Sequence, residues 1–124
     1  NDAQKNVLLG GAAAFLMPIL WEEPFGIVMA EAMACGTPVL GFRRGAVPEV
    51  VEHGVTGHVC DTADELVAAA AGIGGLSRRA TRNRVEAHYS DAAVTDKYLA
   101  LYAELIDFRD TPHLRARAPN AGRA

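Results

Sequence analysis

Residues 22–42 read EEPFGIVMAEAMACGTPVLGF, and this stretch decides the fold. The run from Gly26 to Ala34 predicts a helix, and the CGTP that follows predicts its end. Gly36 suits the left-handed residue that follows a helix, and Pro38 cannot continue one. The apolar residues from Pro38 to Phe42 then predict a buried strand.

Strands and helices alternate on both sides of this stretch. Residues 13–19 predict a short buried strand that stops at Pro18, and residues 57–60 predict a third strand. The predicted helices cover about residues 3–11 with Asp2 as cap, 47–54 with Pro48 in the first turn, 62–72 with a Thr62–Glu65 capping box, 77–88 opened by Ser77, and 91–108 opened by Ser90.

The last predicted helix carries apolar residues at spacings of three and four, which indicate one buried stripe. They are Val94, Tyr98, Leu101, Leu105 and Phe108. Residues 109–124 show no periodicity and hold four arginines against one aspartate, so we expect a disordered basic tail.

The alternation predicts an α/β fold, a partial Rossmann-like parallel sheet of about three strands flanked by helices, within one domain over residues 1–108. Three strands are half of a doubly wound sheet. The first strand would then leave an apolar edge that invites pairing with a second copy.

Composition narrows the function classes. Half of the 124 residues are hydrophobic and the net charge is −3, which argues against nucleic acid as the main partner. Two cysteines are too few for a disulfide framework, so we expect small core residues in a reducing compartment, which places the chain in the cytoplasm. The four histidines show no ligand spacing, and we predict no metal site.

Glu31 is a single charge inside an otherwise apolar predicted helix, which we expect to be buried all round. Such a charge needs a partner or a solvent-filled cleft. Glu23 lies in the loop before this helix, where ligand clefts of open α/β sheets form. The plainer alternative leaves Glu31 reaching solvent and Glu23 in an ordinary loop.

The start of this helix lacks a capping side chain, because WEEPFG stands where Ser, Thr, Asp or Asn is usual. The free N–H groups near Phe25, Gly26 and Ile27 suit a phosphate or diphosphate. A carboxylate further along the helix suits the hydroxyls of a ribose. Spacing alone therefore favours a nucleotide or sugar-phosphate site without excluding the plainer alternative.

Glu23-x7-Glu31 within EPFGIVMAEAMACGTPV, followed by GAVPEVVEHGVTGHV, resembles the C-terminal domain of the family 4 retaining glycosyltransferases of the GT-B fold. The resemblance covers about residues 7–108. It implies a hexosyltransferase-type enzyme whose C-terminal part binds a nucleotide-diphospho-sugar donor and needs no metal or other cofactor.

The resemblance also implies residue roles. Glu23 matches the glutamate near the donor sugar, with a catalytic or positioning role, and Glu31 matches the glutamate that binds the ribose hydroxyls. The donor-binding segment between them is Pro24, Phe25, Gly26 and Ile27.

The family's basic Arg/Lys pair and its acceptor-binding N-terminal domain have no match here, and the chain begins with Asn1. We therefore expect a fragment that is inactive by itself within an active parent. Two alternatives stay open: a non-catalytic nucleotide-sugar or phosphate-binding module, and a structural α/β domain.

Two basic groups lie outside the motif. Arg43 and Arg44 follow the second predicted strand and suit either a phosphate or a solvated loop. The four arginines of residues 78–84 predict a solvated helix face, with membrane-surface contact of the parent as the minority alternative.

Overall fold

The computed structural model describes the backbone of residues 1–110 and the side chains of residues 1–107. The chain divides into two compact units, one of residues Asn1–Tyr89 and one that begins at Ser90. The predicted domain boundary between residues 108 and 109 remains a prediction.

The first unit contains a parallel sheet in the order β1-β2-β3, which confirms the α/β fold class. The strands are β1 (Phe15–Met17), β2 (Val39–Phe42) and β3 (Gly57–Cys60). Phe15 pairs with Val39, which pairs with Gly57. Strand β1 is shorter than predicted and ends just before Pro18, which has no N–H to donate.

The helices alternate with the strands as the sequence predicts. They are α1 (Asp2–Gly11), α2 (Ile27–Ala34), α3 (Val47–Val50), α4 (Ala63–Ala71), α5 (Arg78–His88) and α6 (Asp91–Asp110), with a 3₁₀ turn at Ile73–Gly75. Gly36 has a φ of 76°, which confirms the left-handed residue predicted after α2.

Two predicted caps differ from the structure. Asn1 rather than Asp2 caps α1: its side chain accepts the Gln4 N–H at 3.0 Å, and the Gln4 side chain accepts from the Asn1 amino group at 3.1 Å. The predicted capping box of α4 forms only in part. The Thr62 hydroxyl accepts the Glu65 N–H, whereas the Glu65 carboxylate accepts the N–H of Asp61.

Helix α2 packs one face, not its whole surface, into the core. Met29, Ala32 and Met33 are fully buried, but Ile27 is 65% exposed and Val28 is exposed as well. The expectation of burial all round is therefore wrong, because the sheet and its neighbours cover only one face. The core also contains Val39, Val47, Val50, Val51 and Val59.

The predicted buried stripe of α6 is wrong for the described side chains. Val94, Tyr98, Leu101 and Leu105 are all exposed. The side chain of Phe108 and residues 111–124 of the predicted tail lie outside the described residues. Across the part that is described, we find no helix with the length and apolarity to cross a membrane.

Candidate functional site

Two loops meet at the end of the sheet where the carboxyl ends of its parallel strands lie, here called the carboxyl edge. Parallel α/β folds bind ligands at this end. The loop after β1 carries Glu22 and Glu23, and the loop after β2 carries Gly45 and Ala46. The Ala46 N–H donates to the Glu23 carbonyl at 2.8 Å, and the Gly45 N–H donates to the Glu22 carboxylate. These bonds hold the backbone of Glu23 at the carboxyl edge.

Gly45 lets the two loops come this close. Its φ is 48°, and a Cβ at this position would overlap the backbone of Glu23. A side chain would therefore be strained by its own conformation and would also push the loop of Glu23 away.

Glu23 is half-buried, and its Oε2 accepts a hydrogen bond from the indole Nε1 of Trp21 at 3.0 Å. This bond gives Trp21, which is 60% exposed, an orienting role beside the predicted sugar-binding glutamate. Sequence analysis missed that role, because a tryptophan two residues before a glutamate is no motif.

Helix α2 begins beside this loop at Gly26, which is buried and has a φ of 70°. No side-chain hydrogen bond caps this end among the described residues, as predicted. Pro24 and Phe25 are exposed, and the Phe25 ring meets the Tyr89 ring edge-on at 5.7 Å. The N–H groups in the first turn of α2 thus lie beside Glu23 at the carboxyl edge of the sheet.

Glu31 has both features that a charge on this helix needs, a partner and a cleft. Its Oε1 accepts from the Lys5 Nζ at 2.6 Å, and this hydrogen bond is the main cause that raises the Lys5 pKa. The cleft encloses about 650 Å³ between α1, α2 and α5. It is lined by Asp2, Lys5, Asn6, Glu31, Ala34, Cys35 and Arg82.

The two predicted glutamates belong to one segment but do not share a site of side-chain contact. Glu23 lies in the loop before α2, and Glu31 lies within α2. Glu23 is bound to the loop after β2 and is not among the residues that line the Glu31 cleft. Sequence analysis missed Lys5, because it lies 26 positions from Glu31 and only the packing of α1 on α2 brings them together.

Arg43 and Arg44 line a second cleft of about 180 Å³ at the carboxyl edge, together with Leu20, Phe42, Asp61, Thr62 and Ala63. Both arginines face a carboxylate: Arg43 Nε lies 2.9 Å from Asp61, and Arg44 Nη1 lies 3.9 Å from Glu22. A phosphate here would compete with these ion pairs. The structure therefore favours neither of the two predictions for these arginines, a phosphate site or a solvated loop.

The arginines of α5 are only in part the solvated face that was predicted. Arg78 donates to the carbonyls of Gly10 and Ala12, and Arg84 donates to those of Glu49 and Val50. Both side chains therefore hold helix ends in place, and contact of the parent with a membrane surface stays a prediction.

The histidine pair His53 and His58 lies at the opposite, amino-terminal end of β3, with ring centroids 5.1 Å apart. Burial, and secondarily the charge of His53, lowers the pKa of His58. Within the described part of the chain, no three His, Cys, Asp or Glu side chains gather as a metal-binding group. The expectation that no metal is needed stays a prediction.

Comparison with known proteins defines the class that this fold and motif belong to. Residues 1–87 match the family "Glycosyl transferases group 1", and the chain belongs to this family. The resemblance to a group 1 glycosyltransferase is thereby confirmed, whereas donor binding and the retaining mechanism stay predictions.

Three relatives illustrate the match. An N-acetyl-alpha-D-glucosaminyl L-malate synthase of Bacillus anthracis is 50% identical over 62 residues, 49% of this chain and 16% of the relative. A D-inositol 3-phosphate glycosyltransferase of Mycobacterium leprae is 38% identical over 109 residues, 78% of this chain and 25% of the relative.

A phosphatidyl-myo-inositol mannosyltransferase of Propionibacterium freudenreichii is 31% identical over 109 residues, 82% of this chain and 29% of the relative. The chain thus spans less than a third of the length of each of these three relatives.

Proposed function

We propose that this chain is the donor-binding part of a retaining glycosyltransferase that uses a nucleotide-diphospho-sugar. The observation that carries the proposal is the Glu23 loop, which is bonded to the loop after β2 at the carboxyl edge and runs directly into the uncapped start of α2. A carboxylate beside open helix N–H groups suits a sugar joined to a diphosphate.

Each part of the donor has a proposed partner. The backbone from Pro24 to Ile27 faces the diphosphate, and Glu31 accepts hydrogen bonds from the ribose hydroxyls. Glu23, oriented by Trp21, lies at the sugar. The N–H groups at the start of α2 would stabilise the charge that develops on the leaving diphosphate.

The proposed reaction breaks the bond between the sugar C1 and the diphosphate oxygen and forms a bond from C1 to an acceptor hydroxyl oxygen on the same face. The acceptor proton leaves, and the nucleoside diphosphate is released. The names of the three relatives mention L-malate, inositol 3-phosphate and phosphatidyl-myo-inositol. We infer that acceptor choice lies in parts of the protein beyond the residues that these relatives share.

A cytoplasmic site of action completes the proposal. Cys35 and Cys60 are both free thiols, as a reducing compartment allows. Contact of the parent with a membrane surface stays an expectation from the sequence.

The test is calorimetry and transfer assays on the full-length protein with UDP, GDP and their sugars. Glu31→Gln should weaken nucleotide binding about tenfold or more, since it removes a charged hydrogen-bond acceptor. Glu23→Gln should lower transfer at least about 100-fold and leave nucleotide affinity nearly unchanged. Glu104→Gln, the same change at an exposed position on α6, is the matched control.

The outcomes separate the alternatives. Nucleotide-sugar binding without transfer by the full-length protein would favour a non-catalytic binding module. A lack of nucleotide binding, with Glu31→Gln harmless to the protein's function, would favour a structural domain.

A further inference from the structure

The cleft between α1, α2 and α5 contains two cations with different partners. Lys5 Nζ lies 2.6 Å from Glu31 Oε1 and 3.4 Å from Asp2 Oδ1. Arg82 lines the same cleft but pairs with Glu86 on its own helix at 2.8 Å. Of these two cations, only Lys5 contacts the glutamate predicted to bind the ribose.

The Lys5 contact engages one oxygen of Glu31 and leaves the other. Oε1 is held by the ammonium group, while Oε2 accepts no hydrogen bond from the part of the chain that is described. The side chain of Glu31 is 32% exposed, so Oε2 can reach a ligand in the cleft. The cleft of about 650 Å³ is of the size that small ligands occupy.

Hydrogen bonds hold the first turn of α1 in place, so the backbone of Lys5 has a defined position beside α2. The capping box of Asn1 and Gln4 closes the first turn, and Lys5 lies in that turn with its N–H donating to the Asn1 carbonyl at 3.0 Å. The helix therefore fixes the backbone of Lys5, and the contacts with Glu31 and Asp2 hold its ammonium group.

We propose that Lys5 is a positioning residue for Glu31, holding its carboxylate so that Oε2 faces the ribose hydroxyls of the donor. This inference rests on the proposed function. Lys5 acts through Glu31, so it governs donor affinity and the recognition of the ribose, and it takes no part in the chemical step.

The experiment measures dissociation constants of UDP and GDP and of their 2′,3′-dideoxy forms by calorimetry, in the full-length protein. Lys5→Met should weaken binding of the ribose form about two- to fivefold, the range for loss of a partly exposed ion pair. The preference for ribose over dideoxyribose should fall by the same factor, and kcat should stay unchanged. Lys5→Arg should restore affinity to near the original value.

Arg82→Met is the matched control, because it removes one positive charge from the same cleft without touching Glu31. It should leave the preference for ribose over dideoxyribose unchanged. Lys5→Gln, which keeps a polar side chain, should repeat the effect of Lys5→Met and guards against a folding defect in either variant. The double variant Lys5→Met/Glu31→Gln should bind no more weakly than Glu31→Gln alone.

The outcomes keep the two proposals apart. If Glu31→Gln weakens binding while Lys5→Met and Lys5→Gln do not, the Lys5 inference is overturned and the proposed function stands. An equal loss of the preference for ribose in Arg82→Met, or an equal loss of affinity for the dideoxy form, would also overturn it, since either shows a general charge effect. If Glu31→Gln changes nothing, both proposals fail.

Discussion

Gly45 is the residue on which the geometry of the candidate site depends most directly. It has a left-handed conformation and packs against the backbone of Glu23, while its own N–H donates to Glu22. A single methyl group here would act on both loops of the carboxyl edge at once.

We expect Gly45→Ala to destabilise the protein and to impair the Glu23 loop. Left-handed strain alone costs about 1–2 kcal/mol, and the overlap with Glu23 should add about 1–3 kcal/mol. Chemical denaturation measures the free energy of unfolding, and sugar transfer by the full-length protein measures the site.

Gly54→Ala is the control for strain without overlap. Gly54 has a φ of 79°, and no atom lies within 4 Å of a Cβ placed there. The Gly54→Ala variant should lose only the stability that left-handed strain costs, and it should leave sugar transfer unchanged. Equal losses of stability for the two variants would contradict the role given to Gly45.

Helix α3 depends on a neighbour for its stability, because its four residues make few hydrogen bonds of their own. Arg84 of α5 donates to the carbonyls of Glu49 and Val50 at 3.0 and 2.9 Å, and the Tyr89 hydroxyl also donates to the Glu49 carbonyl. A cation at the end of a helix satisfies free carbonyls and opposes the helix dipole.

We expect Arg84→Met to cost about 1.5–3 kcal/mol of unfolding free energy, the range for hydrogen bonds made by a charged group. Arg82→Met, on the same helix, removes an exposed pair with Glu86 and should cost less than about 1 kcal/mol. Denaturant unfolding of both variants tests this. A cost for Arg82→Met as large as that for Arg84→Met would show that helix capping is not the cause.

The sheet as a whole has an open edge. Strand β1 pairs with β2 on one side, its other side has no partner strand among the described residues, and Leu16 is 55% exposed. The sequence predicted that such an edge would invite pairing with a second copy, and this stays a prediction.

We expect the 124-residue chain to self-associate as its concentration rises, and Leu16→Lys to suppress this, since a lysine on an edge strand opposes strand pairing. Analytical ultracentrifugation over a range of concentrations provides the measurement. Val67→Lys adds the same charge at a 70% exposed position on α4 and should leave association unchanged. Suppression by both variants would indicate a charge effect instead of an edge effect.

Local patterns were enough to predict the order of strands and helices, the parallel sheet and the left-handed Gly36, because turns, caps and apolar runs are signals carried by neighbouring residues. The family followed from the dense motif of residues 23–39 and the GAVPEVVEHGVTGHV of residues 45–59 for the same reason. The uncapped start of α2 was also predictable, since it follows from the lack of a capping side chain at one position.

Packing between distant segments determined the features that the sequence did not predict. The Lys5–Glu31 pair, the closure of Gly45 on Glu23 and the capping of α3 by Arg84 each join residues more than 20 positions apart. The exposure of Ile27 likewise depends on which surfaces of α2 meet a neighbour, not on the composition of the helix. Periodicity shows that a helix has an apolar face, whereas only the folded chain shows what covers that face.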